Sequence, residues 1–166
     1  MGTYRAPVED MNFLIDEVLD AENALGTLSD FTDFGIGPEL TTALLDEAAK
    51  LAGDQLAPLR RAGDEQPAKC ADGAVTASPG YDEALQQLAA GGWIGISSDP
   101  NYGGQGLPEI YNTVGHEMWN GANMALGLAP MLSSGAALAI HAHGTEEQKQ
   151  TYLEKMNTGQ WMGTMN

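Results

Sequence analysis

Residues 124–142 contain no Asp, Glu, Lys or Arg, and this constrains the fold of the 166-residue chain more than any other feature. The stretch is about as long as a bilayer-spanning helix. Ala, Gly, Ser and Met dominate it, however, Pro130 interrupts it, and no Lys or Arg flanks either end. The composition therefore favours a central helix surrounded by its neighbours over a membrane span. The small residues would also allow an elongated apolar ligand to lie along this helix.

Apolar residues at three- and four-residue spacings predict further amphipathic helices. A second helix begins at Pro38, because proline is accepted in a first helical turn, and stops at Pro58. A third runs from Tyr81 to the pair Gly91-Gly92, and a fourth begins near Ile110. The first helix follows Pro7, and its predicted buried stripe is Met11, Leu14, Ile15, Val18 and Leu19.

The last helix is predicted to begin at Thr145, which forms a capping box with Gln148. Its buried side would hold Tyr152, Leu153 and Met156. Residues 63–80 are rich in Gly, Pro, Ala and Asp, which predicts a loop with a turn at Asp72-Gly73, and no strand is expected before the final residues. Each helix must cover its apolar face against another. The sequence therefore predicts an all-α fold, a helical bundle of about six helices.

The charge of the chain is strongly acidic, with 7 basic against 23 acidic residues and a net charge of −16. Such a surface repels phosphate backbones and anionic headgroups, which argues against nucleic-acid binding and electrostatic membrane docking.

Cys70 is the only cysteine, so the chain cannot form an internal disulfide or a thiolate metal cluster. This fits a reducing compartment, and we expect a cytoplasmic location.

Several short motifs suggest chemistry that their surroundings do not support. His116-Glu117 begins like a zinc-protease helix, but Asn120 stands where the second histidine is needed, so no metal site is expected. His141 and His143 are two residues apart and are expected to interact with the last carbonyls of their helix. The glycines in DPNYGGQGLP, residues 99–108, predict positive-φ turns rather than a phosphate loop. No nucleophile, base and orienting group come together in the sequence.

Three segments together resemble a known family: GGWIGISSDPNYGGQGLP, the alanine-rich helix ending IHAHGTEEQKQTYLEKMNTGQW, and the terminal MGTMN. They are similar to the amino-terminal helical domain of acyl-CoA dehydrogenases over residues 38–166. The opening YRAPVEDMNFLIDEVLD resembles a branch of larger members that includes 3-(methylthio)propanoyl-CoA dehydrogenase. Residues 1–34 would then be an N-terminal extension with one amphipathic helix, 35–160 the helical domain, and 161–166 the start of a β-domain.

The resemblance implies oxidation of a CoA thioester between its α and β carbons. In the family a carboxylate takes the α-proton while the β-hydride passes to the flavin of FAD. Members continue beyond the equivalent of Asn166 into a flavin-contacting stretch, so we expect the chain to be a domain fragment. The catalytic glutamate would lie in a C-terminal domain, and this chain would be inactive alone. The implied partners are an acyl-CoA substrate, an electron-transfer acceptor and further copies in a homo-oligomer.

The resemblance also carries over five positions. Met131, Ser134, Gly135 and Leu138 would line the acyl pocket, and ordinary helix packing is the alternative for each. Met165 would approach the flavin, and the alternative is a strand residue that awaits a partner. A second function remains open: a free-standing acidic helical module that binds a partner protein through a docking strand at Trp161 and Met162.

Overall fold

A computed structural model describes residues 4–31 and 34–164 of the chain. The prediction of an all-α helical bundle is confirmed. Among the described residues, the helical part also includes the π-helical segments Phe13–Val18 and Leu51–Leu56 and the 3₁₀ turn Pro100–Tyr102. The α-helices are α1 (Val8–Asn12), α2 (Ala21–Gly26), α3 (Pro38–Lys50), α4 (Leu59–Glu65), α5 (Tyr81–Ala90), α6 (Glu109–His143) and α7 (Glu146–Asn157).

One short hairpin departs from the prediction of no internal strand. Strand β1 (Lys69–Ala71) pairs antiparallel with β2 (Ala74–Thr76). Asp72 and Gly73 join them with φ of 51° and 78°, the left-handed pair that a two-residue hairpin turn requires. The turn was predicted and the strands were not. All three residues of each strand are exposed. The sequence therefore lacks the alternation of apolar and polar residues that predicts a half-buried strand.

The first helix buries only part of its predicted stripe. Met11 and Ile15 lie in the core, whereas Leu14, Val18 and Leu19 are about half exposed. For Val18 and Leu19 the cause is the π-helical segment Phe13–Val18, which follows α1 directly. A π-turn contains an extra residue and rotates the following side chains away from a stripe spaced at 3.6 residues. The prediction was therefore wrong for these three residues.

Pro58 ends one helical run and begins another. The run formed by α3 and the π-helical segment Leu51–Leu56 stops before Pro58, as predicted. Pro58 then has φ of −60° and ψ of −30° and stands directly before α4. A proline is tolerated at a helix start because the first N–H groups have no partner in the helix. Residues 63–65 are therefore helical, although the sequence predicted a loop there.

The main core forms where α3, its π-helical continuation, α5 and the first half of α6 meet. Trp93 and Trp119 pack edge to face in it, with ring centroids 5.6 Å apart. A smaller core joins Ile36, Ile96 and Tyr111, and the buried hydroxyls of Tyr111 and Thr41 lie 3.0 Å apart. The large apolar side chains buried in the main core include Ile15, Leu45, Leu56, Leu88, Met118, Trp119 and Leu126.

Helix α6 is one 35-residue helix with a single kink at Asn123, where φ is −157° and ψ is 88°. By length and composition it could cross a membrane, with a mean hydropathy of 1.4 in its most apolar window. The core helix of a soluble protein can satisfy the same criterion. Only 28% of that window is buried among the described residues, so the expectation of a helix surrounded by neighbours was wrong for this part of the chain.

Helix α7 covers one side of the second half of α6. The predicted capping box is present: Thr145 accepts from the Gln148 N–H, and the Gln148 side chain accepts from the Thr145 N–H. Leu153 and Met156 are buried against Ala137, as the periodicity predicted. Tyr152 is instead 42% exposed.

Residues 161–164 follow α7 and adopt no regular secondary structure. Lys155 Nζ lies 4.0 Å from the centre of the Trp161 ring, and the Tyr152 ring packs against the same indole. The Gly163 N–H donates to Ser133 Oγ at 3.0 Å, which ties the segment to α6. The strand expected from this point has no partner strand within the described residues.

Candidate functional site

A cavity of about 530 Å³ opens between the two halves of α6, residues 97–99 and α7. The four positions predicted from the resemblance, Met131, Ser134, Gly135 and Leu138, all line it. Their spacing of three, four and seven residues places them on one face of a helix. The other lining residues are Ser97, Ser98, Asp99, Glu109, Asn112, His116, Ala137, His141, Leu153 and Asn157.

The four predicted residues form what we call the apolar wall. Met131 and Leu138 are 39% and 69% exposed, so both present apolar surface that nothing else in the described chain covers. The Ser134 hydroxyl donates to the Pro130 carbonyl at 3.0 Å and lies 3.5 Å from the Ile94 carbonyl. The Ser134 hydroxyl proton is therefore already engaged in a hydrogen bond within the protein. Small side chains at 134 and 135 leave room beside the helix for a ligand.

Glu109, Asn112 and His116 line the same cavity from the first half of α6, and we call them the polar wall. Asn112 Nδ2 donates to Glu109 Oε1 at 2.6 Å. Burial lowers the pKa of His116, and the Glu109 carboxylate only partly offsets this. His116 is therefore favoured as neutral imidazole, and its buried Nδ1 has no hydrogen-bond partner among the residues that the structure describes.

Sequence reasoning missed the polar wall. The spacing of its three residues places them on one helix face, and that signal was available in the sequence. Nothing in the sequence showed that this face meets the apolar wall, since the two belong to one apparently continuous helical pattern. The kink at Asn123 makes the meeting possible.

Asp99 and His141 meet at the cavity, with Oδ2 and Nε2 3.2 Å apart. The backbone N–H of Asn101, which donates to Asp99 at 2.8 Å, lowers the pKa of the carboxyl, and His141 adds to this effect. The ring of His141 also packs edge to face on Tyr102. The expectation that His141 interacts with carbonyls at its helix end was therefore wrong, because a loop carboxylate lies within reach.

The loop at residues 99–108 is shaped by its glycines. Gly103 and Gly106 have φ of 77° and 69°, which confirms the predicted positive-φ turns. Asn157 Nδ2 donates to the Tyr102 carbonyl at 2.8 Å and attaches the loop to α7. The loop thereby holds Asp99 at one side of the cavity.

The residues that line this cavity do not fit FAD. The cavity lining holds the carboxyls of Asp99 and Glu109 and no Lys or Arg, whereas the diphosphate of a flavin dinucleotide is anionic. Met165, predicted to approach the flavin, lies outside the described residues. Among residues 4–31 and 34–164 there is also no group of three or more His, Cys, Asp or Glu that could hold a metal ion.

Comparison with known proteins identifies the family. The chain is 37% identical over 166 residues to 3-methylmercaptopropionyl-CoA dehydrogenase of Ruegeria pomeroyi, covering 99% of this chain and 27% of that protein. It is 28% identical over 165 residues to butyryl-CoA dehydrogenase of Syntrophomonas wolfei, covering 98% of this chain and 27% of that protein. It is 29% identical over 169 residues to the broad-specificity linear acyl-CoA dehydrogenase FadE5 of Mycobacterium tuberculosis, covering 99% and 26%.

The chain thus spans about a quarter of the length of these relatives. A family model described as acyl-CoA dehydrogenase, N-terminal domain, matches residues 38–160. That match covers most of the chain and includes both halves of α6, the loop at residues 99–108 and α7. The chain belongs to the acyl-CoA dehydrogenase N-terminal domain family.

Proposed function

We propose that the chain is the part of an FAD-dependent acyl-CoA dehydrogenase that forms one wall of the acyl pocket. The observation that carries this is the apolar wall: Met131, Ser134, Gly135 and Leu138 line one cavity in a chain of this family. An apolar face with small residues at its centre suits an elongated hydrocarbon chain. The reaction would be α,β-dehydrogenation of a CoA thioester.

The chemistry would be supplied by residues outside this chain. In the complete enzyme FAD would supply the hydride-accepting chemistry and would be held by residues outside this chain, since the cavity described here holds no site for its diphosphate. The net charge of −16 makes the chain an equally poor host for the phosphates of CoA. We therefore assign this chain to acyl binding and no catalytic residue to it. An electron-transfer acceptor and self-association into a homo-oligomer belong to the same proposal.

The alternative of a free-standing interaction module has less support. It depended on an unpaired docking strand at Trp161 and Met162. In the structure residues 161–164 form no strand, and the Trp161 ring packs against Tyr152 and Lys155. Met162 Sδ lies 3.3 Å from Ser133 Oγ, so this segment is already in contact with α6.

Gly135→Leu in the complete flavoenzyme tests the pocket. The added side chain would fill the space beside the apolar wall and exclude part of a long acyl chain. Each excluded methylene forfeits about 0.8 kcal/mol, or roughly a fourfold loss in kcat/KM. We expect kcat/KM to fall progressively with acyl length and to change little for the shortest substrates. The measurement is kcat/KM for a series of saturated acyl-CoAs.

Ala139→Leu is the matched control, because Ala139 is exposed on the same helix and does not line the cavity. It should leave the dependence on acyl length unchanged. Equal losses at every acyl length for Gly135→Leu would contradict a pocket role.

A further inference from the structure

The two walls of the cavity come from one helix, although they are far apart along it. His116 of the polar wall and Met131 of the apolar wall are fifteen residues apart in the sequence. In a straight helix a separation of fifteen residues corresponds to about 22 Å along the axis. Side chains on one straight helix also radiate from a single axis, so the two walls could not face each other across one cavity. The bend in α6 is therefore required for the cavity to exist.

Asn123 is the only residue inside α6 with non-helical backbone angles. Its side chain is 1% exposed and makes three hydrogen bonds. Oδ1 accepts from the Tyr81 hydroxyl at 3.2 Å and from the Leu126 N–H at 3.3 Å, while Nδ2 donates to the Leu56 carbonyl at 3.3 Å. These partners belong to α5, the π-helical segment before α4, and the second half of α6.

The bond from Leu126 has the pattern of a helix N-cap. A capping side chain accepts from the N–H three residues further on, and asparagine is among the preferred capping residues. Asn123 thus begins the second half of α6 as a new helix, while Tyr81 and Leu56 fix the direction in which it leaves. Pro130 is not the cause of the bend, because the backbone around it remains helical.

We propose that Asn123 is a positioning residue that holds the apolar wall against the polar wall and so sets the shape of the acyl site. This inference rests on the proposed function for its substrate, but its geometry stands on the three hydrogen bonds and the kink. Without the amide, residues 122–126 can join one continuous helix. The apolar wall would then move away from the polar wall.

The direct test is a distance in the complete flavoenzyme. Spin labels at Glu117→Cys and Ala139→Cys, both exposed positions, would report on the two halves after other reactive cysteines, Cys70 included, are replaced. A straight helix would separate these backbones by about 33 Å. We expect a shorter distance in the parent protein and a shift toward that value in Asn123→Ala. Thr113→Ala, which removes an exposed hydroxyl of the same helix, should change nothing.

Kinetics give a second readout that general destabilisation would not produce. Asn123→Ala should raise KM for the longest accepted acyl-CoA about fivefold, as expected for loss of one helix cap, with little change for the shortest. Asn123→Ser, which retains a capping oxygen, should restore part of the difference. Tyr81→Phe removes only one partner of Asn123 and should give a smaller shift in KM. It replaces Asn123→Ala as the test variant if Asn123→Ala folds poorly.

The outcomes separate the two proposals. An unchanged spin-label distance in Asn123→Ala, or a loss of kcat that is equal for all acyl lengths with KM unchanged, would overturn the role of Asn123. If the parent enzyme oxidises no acyl-CoA, the proposed function fails. The distance measurement would still decide whether Asn123 holds the two walls together.

Discussion

The two halves of α6 differ in what their apolar residues do. In the first half, residues 109–122, Tyr111, Met118 and Trp119 are buried, and the exposed side carries polar groups such as Glu117. In the second half, residues 124–143, Met124, Leu128, Met131 and Leu138 are exposed, and α7 covers only one side. The same helix is thus amphipathic before Asn123 and apolar on both sides after it.

This difference separates residues that fold the chain from residues that are available to a ligand or another domain. Burial of the first half contributes to stability directly, because apolar surface leaves water when the chain folds. The exposed apolar residues of the second half contribute little to the stability of this chain. An exposed apolar surface of that kind marks a binding or interaction site.

Substitutions in the two halves should therefore have very different effects on stability. Trp119→Ala would remove a buried indole that packs on Trp93, and we expect it to cost about 3–5 kcal/mol of unfolding free energy. Leu138→Ala removes a side chain that is 69% exposed and should cost less than about 0.5 kcal/mol. Urea unfolding of the 166-residue chain measures both values. Similar losses for the two variants would erase the contrast between the halves.

The end of the second half of α6 is held by the contact between His141 and Asp99. Loss of this contact should change the unfolding free energy less than Trp119→Ala does, and the change should depend on pH. The Asn101 N–H and His141 lower the pKa of Asp99 in the folded state. A lowered folded-state pKa adds stability above the ordinary carboxyl pKa of 3.8, and that stability is lost as the pH falls through the folded-state value. Asp99→Asn should therefore reduce the loss of unfolding free energy on acidification.

The check for this prediction is urea unfolding at a series of pH values from neutral to acid. His141→Gln should have a weaker effect than Asp99→Asn, because the backbone N–H of Asn101 is the larger cause of the shift. If Asp99→Asn and the parent chain lose stability in parallel as the pH falls, Asp99 makes no such contribution.

Local signals in the sequence predicted the parts of the fold that depend on neighbouring residues. The capping box at Thr145, the turn at Asp72-Gly73 and the positive-φ glycines each involve residues within a few positions of one another. Met131 and Leu138 were placed at the site by the family resemblance, and helix periodicity explains why they share a face.

The remaining features depend on contacts between distant segments. The kink at Asn123 is held by Tyr81 and Leu56, which are 42 and 67 residues away in the sequence. The polar wall joins the cavity only because of that kink. The π-helical turn that rotates Val18 and Leu19 outward has no clear sequence signal, since the same stripe fits a regular α-helix. These features required the structure.

The most direct measurement of the central claim is to map the contact of an acyl chain. An acyl-CoA with a diazirine near the end of its acyl group would be irradiated in complex with the complete flavoenzyme, and the labelled residues identified by tandem mass spectrometry. An excess of the unlabelled acyl-CoA serves as the competition control. We predict competable labelling at residues 131–138. Competable labelling confined to peptides outside residues 109–143 would contradict the claim that α6 forms a wall of the acyl pocket.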